Sequence, residues 1–441
     1  MAPKVIVGMM GSSVAKGSSN MSTPEQVKDF LSVVKSHGVK ELDTALVYND
    51  GKSEELLASV DAQKDFLVST KAPGFAPGSL TEANILSNSA KSHKNLQQDQ
   101  VDIYYIHGPD KETPLQEQCQ AFGKLYQQGR YQRFGVCNLS PSQIEEIHDI
   151  CRREGFPPPS IYQGSYNAVH RSPEKDLFPT LRKLGMAFYA WGPLAGGLLV
   201  KELDDVLKPK PGSRYHEMPV FGNLYLNDHT IAALRKMHTI CDENSVSMME
   251  AALRWLMNHS PLNDDDGIIL GASSKEQVNA TLSACEKGPL PKAVVDGWQE
   301  LWETQIKAVK VKYQNKAKIS IGVSQTRFAH SANPTRPMSP RVEKEDFELL
   351  SSVVPPYDVA ALYISSDIHL GDDLCFPDAV VAIIRAILHL NLNEVKDCSF
   401  FKFLHRRESI SLGSSAKRFR DEARAYIESL RFNVLYLRYM L

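Results

Sequence analysis

The sequence predicts a (β/α)8 barrel of the TIM type, with an unassigned C-terminal extension. Two observations carry that expectation. Between residue 4 and about residue 310, eight short β-type runs alternate with amphipathic segments of helical period, the pattern of a parallel sheet covered by helices. Each run is apolar enough to be buried on both faces, as strands inside such a barrel are.

The elements follow in order. Val5 to Met10 opens the sheet, and Pro24 to Ser36 is the first amphipathic helix, announced by Thr23 before its apolar period. Glu41 to Leu46 and Phe66 to Ala72 are the next strands, and Thr81 to Leu96 is the helix that follows them. Val101 to His107 leads into the helix Leu115 to Gln128, and Tyr131 to Asn138 into the helix Pro141 to Arg153. Ser160 to Tyr166 and Met186 to Trp191 are strands six and seven. After them Leu198 to Asp228 carries Gly, Pro and aromatics without a period, as a long active-site loop does. Ser245 to Asn258 returns the chain as a helix to the last strand, Ile268 to Ala272.

Beyond the barrel, expected over residues 1–312, the character changes. Residues 313–341 are basic and rich in Ser and Pro, which reads as a linker. Residues 342–441 read either as a small accessory domain, with Asp358 to Ile364 as a strand and Phe376 to Leu390 and Ser414 to Leu430 as helices, or as a partly disordered extension.

Composition narrows the function. The 441 residues hold 50 Lys and Arg against 52 Asp and Glu, with 42% hydrophobic and 23% charged residues, a globular composition. A formal net charge of -2 provides no basic field for nucleic acid or an anionic membrane, so small molecules are the expected partners. The 7 cysteines are odd in number and include no C-x-x-C pair, which fits a reducing, cytoplasmic setting. The N-terminus lacks a cleavage pattern, and the longest apolar run, Ala379 to Leu390, is broken by Arg385. Neither export nor a membrane span is expected. A homodimer is compatible with the sequence.

Barrels of this class carry their chemistry at the C-terminal ends of the strands. Polar residues interrupt the apolar runs there: Asp43 with Tyr48 beyond it, Lys71, His107, Asn138 and Gln163, with Trp191 ending strand seven. Asp, Tyr, Lys and His together suit proton transfer at a carbonyl oxygen. Lys71 would draw the Tyr48 phenol toward neutrality, Asp43 would hold Lys71, and His107 would hydrogen-bond the substrate oxygen. Such a site needs a hydride donor. No G-x-G-x-x-G follows the first strand, where Gly8, Met9, Met10 and Gly11 stand, so a nicotinamide would have to bind the barrel itself.

Seven stretches together resemble the aldo-keto reductases, most closely the aflatoxin-aldehyde-reductase branch: Glu41 to Tyr48 (ELDTALVY), Gly51 to Glu54 (GKSE), Ser69 to Lys71 (STK), Val101 to His107 (VDIYYIH), Tyr162 to Asn167 (YQGSYN), Phe188 to Leu199 (FYAWGPLAGGLL) and Ala252 to Trp255 (ALRW). The resemblance runs from residue 4 to about residue 310. It implies an NADPH-dependent reductase of a small carbonyl substrate, with Tyr48 as the acid, Lys71 and Asp43 tuning it, and His107 orienting the carbonyl. It implies that Asn138 and Gln163 contact the carboxamide, that Trp191 stacks on the nicotinamide, and that Leu194, Gly196 and Leu198 belong to the loop over the pyrophosphate. Ser273, Ser274 and Gln277 match the phosphate-and-adenine end. Independently, Ser274 and Gln277 have the spacing of a capping box at a helix N-terminus, which favours an anion.

The sequence also departs from the family. Cys137 replaces the serine before the carboxamide asparagine, and Ala280 and Thr281 replace residues that grip adenine, leaving the choice between NADPH and NADH open. The branch's arginine-bearing segment is unmatched in Tyr215 to Asp228, so a neutral aldehyde or ketone is the better substrate, with Arg214, Tyr215, Phe221 and Tyr225 as candidate pocket residues. An alternative is a nicotinamide-binding regulatory or assembly subunit with little turnover. Ser366 to Asp373 (SDIHLGDD) resembles the opening element of dinuclear phosphoesterases, but the remaining metal elements are missing after it, so no metal site is expected at Asp367 and His369. Thr335 to Pro340 reads as plain linker.

Overall fold

Lys4–Gly8 (β1) pairs in parallel with Glu41–Asp43 (β2) on one side and Gly267–Gly271 (β8) on the other, and this double pairing closes the sheet. Between them Leu67–Ala72 (β3), Val101–Ile106 (β4), Tyr131–Cys137 (β5), Ile161–Ser165 (β6) and Ala187–Trp191 (β7) each lie beside the next, giving the closed eight-stranded barrel that the sequence predicts. The structure is a computed structural model and describes residues 2–10, 21–211, 213–217, 220–226 and 228–304. The linker, the extension and the segments around Thr335, Asp367 and His369 lie outside the described residues.

Helices join the strands on the outside. Pro24–Ser36 (α1) follows β1, Ser53–Ser59 (α2) follows β2, Glu82–Leu96 (α3) follows β3, Leu115–Gln127 (α4) follows β4, and Pro141–Glu154 (α5) follows β5. Leu177–Leu184 (α6) follows β6. Their starts are fixed locally. Thr23 with Gln26 and Ser140 with Gln143 form complete capping boxes, while the Thr81 hydroxyl accepts from the Asn84 amide. Each box satisfies amide donors that have no partner inside the helix.

Most strand bounds move by one or two residues, β2 stops at Asp43 rather than Leu46, and the larger differences from the sequence reading follow β7. The segment after β7 is not irregular throughout: it contains Leu203–Leu207 (α7), Arg214–Glu217 (α8) and Val220–Tyr225 (α9) before the long Asp228–Glu243 (α10). Elements of 4 to 6 residues are too short to show a period. The next helix, Met248–Asn258 (α11), starts after Ser247, whose hydroxyl accepts from the Glu250 amide; Ser245 stands outside it with φ 54. Lys275–Cys285 (α12) follows β8, and 292–304 is helical.

The barrel interior is a packed layer of Ile6, Ile103, Tyr105, Cys137, Ile161, Tyr189 and Ile269. At the N-terminal strand ends Arg133 closes the floor. Its Nε donates to Asp102 Oδ1 at 3.0 Å, its Nη2 to Glu41 Oε2 at 3.1 Å, and its Nη1 to the Tyr189 hydroxyl at 3.3 Å. With Arg133 at the floor and the interior filled, the opposite mouth is the end of the barrel, among the described residues, that can take a ligand. Among the described residues no helix is long and apolar enough to cross a membrane.

Candidate active site

Three strand ends and one following turn bring Asp43, Tyr48, Lys71 and His107 to that mouth. Asp43 is the last residue of β2, Lys71 the penultimate residue of β3, His107 follows β4, and Tyr48 lies in the turn between β2 and α2. The Lys71 ammonium is fully buried and donates to Asp43 Oδ2 and to the Thr44 carbonyl, each at 2.7 Å. It lies 4.6 Å from the centre of the Tyr48 ring. Burial opposes charge on Lys71, but the adjacent Asp43 carboxylate more than reverses this and holds the ammonium above the usual lysine range.

Tyr48 departs from the expectation that Lys71 brings it toward neutrality. Burial outweighs the nearby ammonium and pushes the phenol up to about 12. Tyr48 therefore remains a proton-bearing phenol at neutral pH. His107 meets Tyr48 edge to face, with ring centroids 5.8 Å apart. Burial, helped by the Lys71 cation, lowers its imidazole to about 3, so it is neutral and offers one N–H.

Gln163 and Asn138 are already engaged with this group. Gln163 Nε2 donates to Asp43 Oδ1 at 2.8 Å, so both carboxylate oxygens of Asp43 are used; that link across the barrel has no sequence signal beyond a polar residue in an apolar strand. Asn138 has φ 58, and its amide donates to the His107 carbonyl at 3.0 Å. Cys137 lies in the packed interior, where burial pushes its thiol up and leaves it inert.

Trp191, half-buried at the end of β7, leads into a loop with positive φ at Gly192, Ala195, Gly196 and Gly197. A Cβ on Gly196 would come 2.8 Å from the Phe221 ring. Leu194 is half-buried and Leu198 fully buried. The candidate pocket residues pack on this loop: the Tyr215 hydroxyl donates to the Ala195 carbonyl at 2.7 Å, Phe221 covers Gly196, and Arg214 lies over the Phe221 ring at 5.8 Å. Tyr225 pairs with Ser165 and Asn167, each at 3.3 Å, and Asn167 donates to the Gly192 carbonyl at 2.8 Å.

At the end of β8, Ser274 caps α12 by accepting from the Gln277 amide at 3.3 Å. The expected capping box is incomplete, because Gln277 Oε1 reaches one residue further back to the Ser273 amide and hydroxyl, at 3.0 and 2.8 Å. The helix N-terminus still faces the mouth with its amide dipoles.

Sequence reasoning missed Phe75. It follows β3, is half-buried, has φ 70 and packs edge-on to His107 with centroids 5.8 Å apart. An aromatic residue between Gly74 and Gly78 in a strand-end loop is the signal that could have revealed it.

Residues 4–303 match the model of the aldo/keto reductase family. An aldo-keto reductase of Pseudocercospora fijiensis is 35% identical over 283 residues, covering 62% of this chain and 96% of that protein. An oxidoreductase of Leptosphaeria maculans is 35% identical over 288 residues, covering 64% of this chain and 87% of that protein. Aflatoxin B1 aldehyde reductase member 2 of Rattus norvegicus is 36% identical over 281 residues, covering 60% of this chain and 77% of that protein.

Proposed function

The chain belongs to the aldo/keto reductase family and is an oxidoreductase of carbonyl compounds, and from that premise we propose that it reduces an aldehyde or ketone to the alcohol with NADPH, using Tyr48 as the proton donor. The observation that carries the reading is the fully buried Lys71 ammonium, fixed by Asp43 and placed beside the Tyr48 ring.

The mouth suits a nicotinamide dinucleotide. The loop at Gly192 to Leu198 turns its backbone through four left-handed residues, three of them glycines, whose lack of a side chain suits close approach of a pyrophosphate. Trp191 provides a flat face, and the Ser273–Ser274 helix start suits a phosphate. Asn138 and Gln163 would lie at the carboxamide, Leu194, Gly196 and Leu198 at the pyrophosphate, and Ser273, Ser274 and Gln277 at the far phosphate. Cys137, Ala280 and Thr281 leave the preference for NADPH over NADH to measurement. When bound, the cofactor supplies the hydride.

The chain's residues manage the proton. Tyr48, kept protonated by burial, holds its proton at Oη and passes it to the substrate oxygen as negative charge develops there. The Lys71 ammonium stabilises the phenolate left behind, and Asp43 keeps that ammonium charged and in place. His107, neutral, donates a hydrogen bond to the same oxygen and orients the carbonyl.

Arg214, Tyr215, Phe221 and Tyr225 border the pocket in this reading through the loop they support. The catalytic unit is residues 1–312, with 313–341 as linker and 342–441 as extension; the setting is cytoplasmic, and a homodimer is compatible with it. The test is loss of NADPH absorbance with para-nitrobenzaldehyde and with a dicarbonyl, comparing wild type with Tyr48→Phe at matched cofactor saturation. Turnover lost in the variant with NADPH still bound supports the reductase. Bound NADPH with negligible turnover in both proteins would instead assign the chain to a regulatory barrel.

A further inference from the structure

Phe75 has a backbone conformation that a bulky side chain rarely takes, and its surroundings enforce it. At φ 70 it lies in the left-handed region, which is strained for a bulky non-glycine residue. Its amide donates to the Pro109 carbonyl at 2.9 Å, tying the loop after β3 to the loop after β4. A Cβ on Gly74 would overlap the Gly108 backbone, and a Cβ on Gly108 would overlap the Phe75 ring, so both glycines leave room for this one placement. Asp110 secures the same two loops. Its carboxylate accepts from the amides of Gly78 at 3.1 Å and Leu80 at 2.9 Å on one side, and from the Thr113 hydroxyl at 2.7 Å on the other. The result is a half-exposed aromatic ring set edge-on against His107, which meets Tyr48 on another contact at the same 5.8 Å separation.

We propose that Phe75 is a specificity-determining residue: its ring, held by Gly74, Gly108, Pro109 and Asp110, is a rigid wall of the carbonyl pocket that favours a flat aryl carbonyl over a saturated chain of similar size. The inference rests on the reductase reading. A preformed aromatic wall rewards a planar partner beyond the burial of its area, and a fixed ring loses no side-chain freedom when the substrate docks.

The test is the ratio of kcat/KM for benzaldehyde to that for butanal in wild type, Phe75→Leu and Phe75→Tyr. Leucine should lower the ratio about three- to tenfold, the range expected for loss of one aromatic pair; tyrosine should restore at least half of it. A ratio unchanged in Phe75→Leu overturns the proposal. A second readout needs no turnover: saturation-transfer NMR of benzyl alcohol should give aryl signals that weaken in Phe75→Leu and persist in Phe75→Tyr. Equal signals in all three proteins would also overturn it. Absence of turnover in wild type would count against the reductase reading, and the benzyl alcohol measurement would still decide the role of Phe75.

Discussion

Gln163 reaches from β6 across the barrel to donate to Asp43 at the end of β2, with 2.8 Å between Nε2 and Oδ1. Asp43 gives its other oxygen to Lys71, so one buried carboxylate orders an amide and an ammonium together. Position in this site is therefore shared. Movement of any one member displaces the cation that faces Tyr48.

Gln163→Leu should remove that bond without changing charge. Asp43 Oδ1 would be left buried and unsatisfied, a loss of about 1–3 kcal/mol in stability. The kcat for an aldehyde should fall about tenfold as Asp43, still paired with Lys71, loses its fixed position, less than the roughly hundredfold that a misplacement of about 1 Å can cost. Urea denaturation and steady-state kinetics on the same preparation check both, and an unchanged kcat would show that the Gln163–Asp43 bond does not position Lys71 for catalysis.

Lys71→Met should be more severe. It leaves the Asp43 charge buried without its partner, which costs about 3–5 kcal/mol. It also removes the cation that stabilises the Tyr48 phenolate, so kcat should fall by about two to four orders of magnitude. The shift of Lys71 has a pH signature. Its folded value is raised, so the stability it contributes is full below the ordinary lysine range of about 10.4 and is lost as pH rises through the higher folded value. Alkaline denaturation should thus show a stability loss above about pH 10 in wild type that is smaller in Lys71→Met. Parallel curves would contradict the assignment.

The pH profile of catalysis follows from the same groups. His107 lowered to about 3 and Tyr48 raised to about 12 leave both in one protonation state between those limits. In the proposed mechanism carbonyl reduction uses the protonated Tyr48, so kcat should be level from about pH 5 to about pH 9 and decline only in strong alkali. Alcohol oxidation uses the phenolate and should rise with pH over the same interval. An inflection in kcat near the ordinary histidine value of about 6.5 would mean that His107 titrates during turnover.

The strand order and the placement of Asp43, Lys71 and His107 at strand ends were legible in the sequence because both depend on short-range patterns. Asp43, Lys71 and His107 are polar residues ending apolar runs, and period and position are enough to group them. Tyr48's protonation was not legible, because the contest between burial and the Lys71 charge is settled by three-dimensional desolvation. The helices at Leu203–Leu207, Arg214–Glu217 and Val220–Tyr225 were missed because single turns carry no period. Phe75 was missed because its backbone angle comes from contacts with Gly108 and Pro109 more than thirty residues away.

Gly196 lies in the loop after β7 that the proposed function places at the cofactor. It has φ 67, and a Cβ there would meet Phe221 Cδ1 at 2.8 Å, so alanine would be disfavoured by both conformation and contact. Gly196→Ala should cost about 1–3 kcal/mol from backbone strain and weaken NADPH binding about tenfold as the loop shifts away from Phe221, an estimate equal to about 1.4 kcal/mol. Gly288→Ala is the comparison: its Cβ would meet nothing within 4 Å and its φ is not left-handed. Quenching of tryptophan fluorescence by NADPH gives both affinities, and thermal unfolding gives both stabilities. Equal NADPH affinity in the two variants would separate this loop from the cofactor, because the strain would then be purely structural.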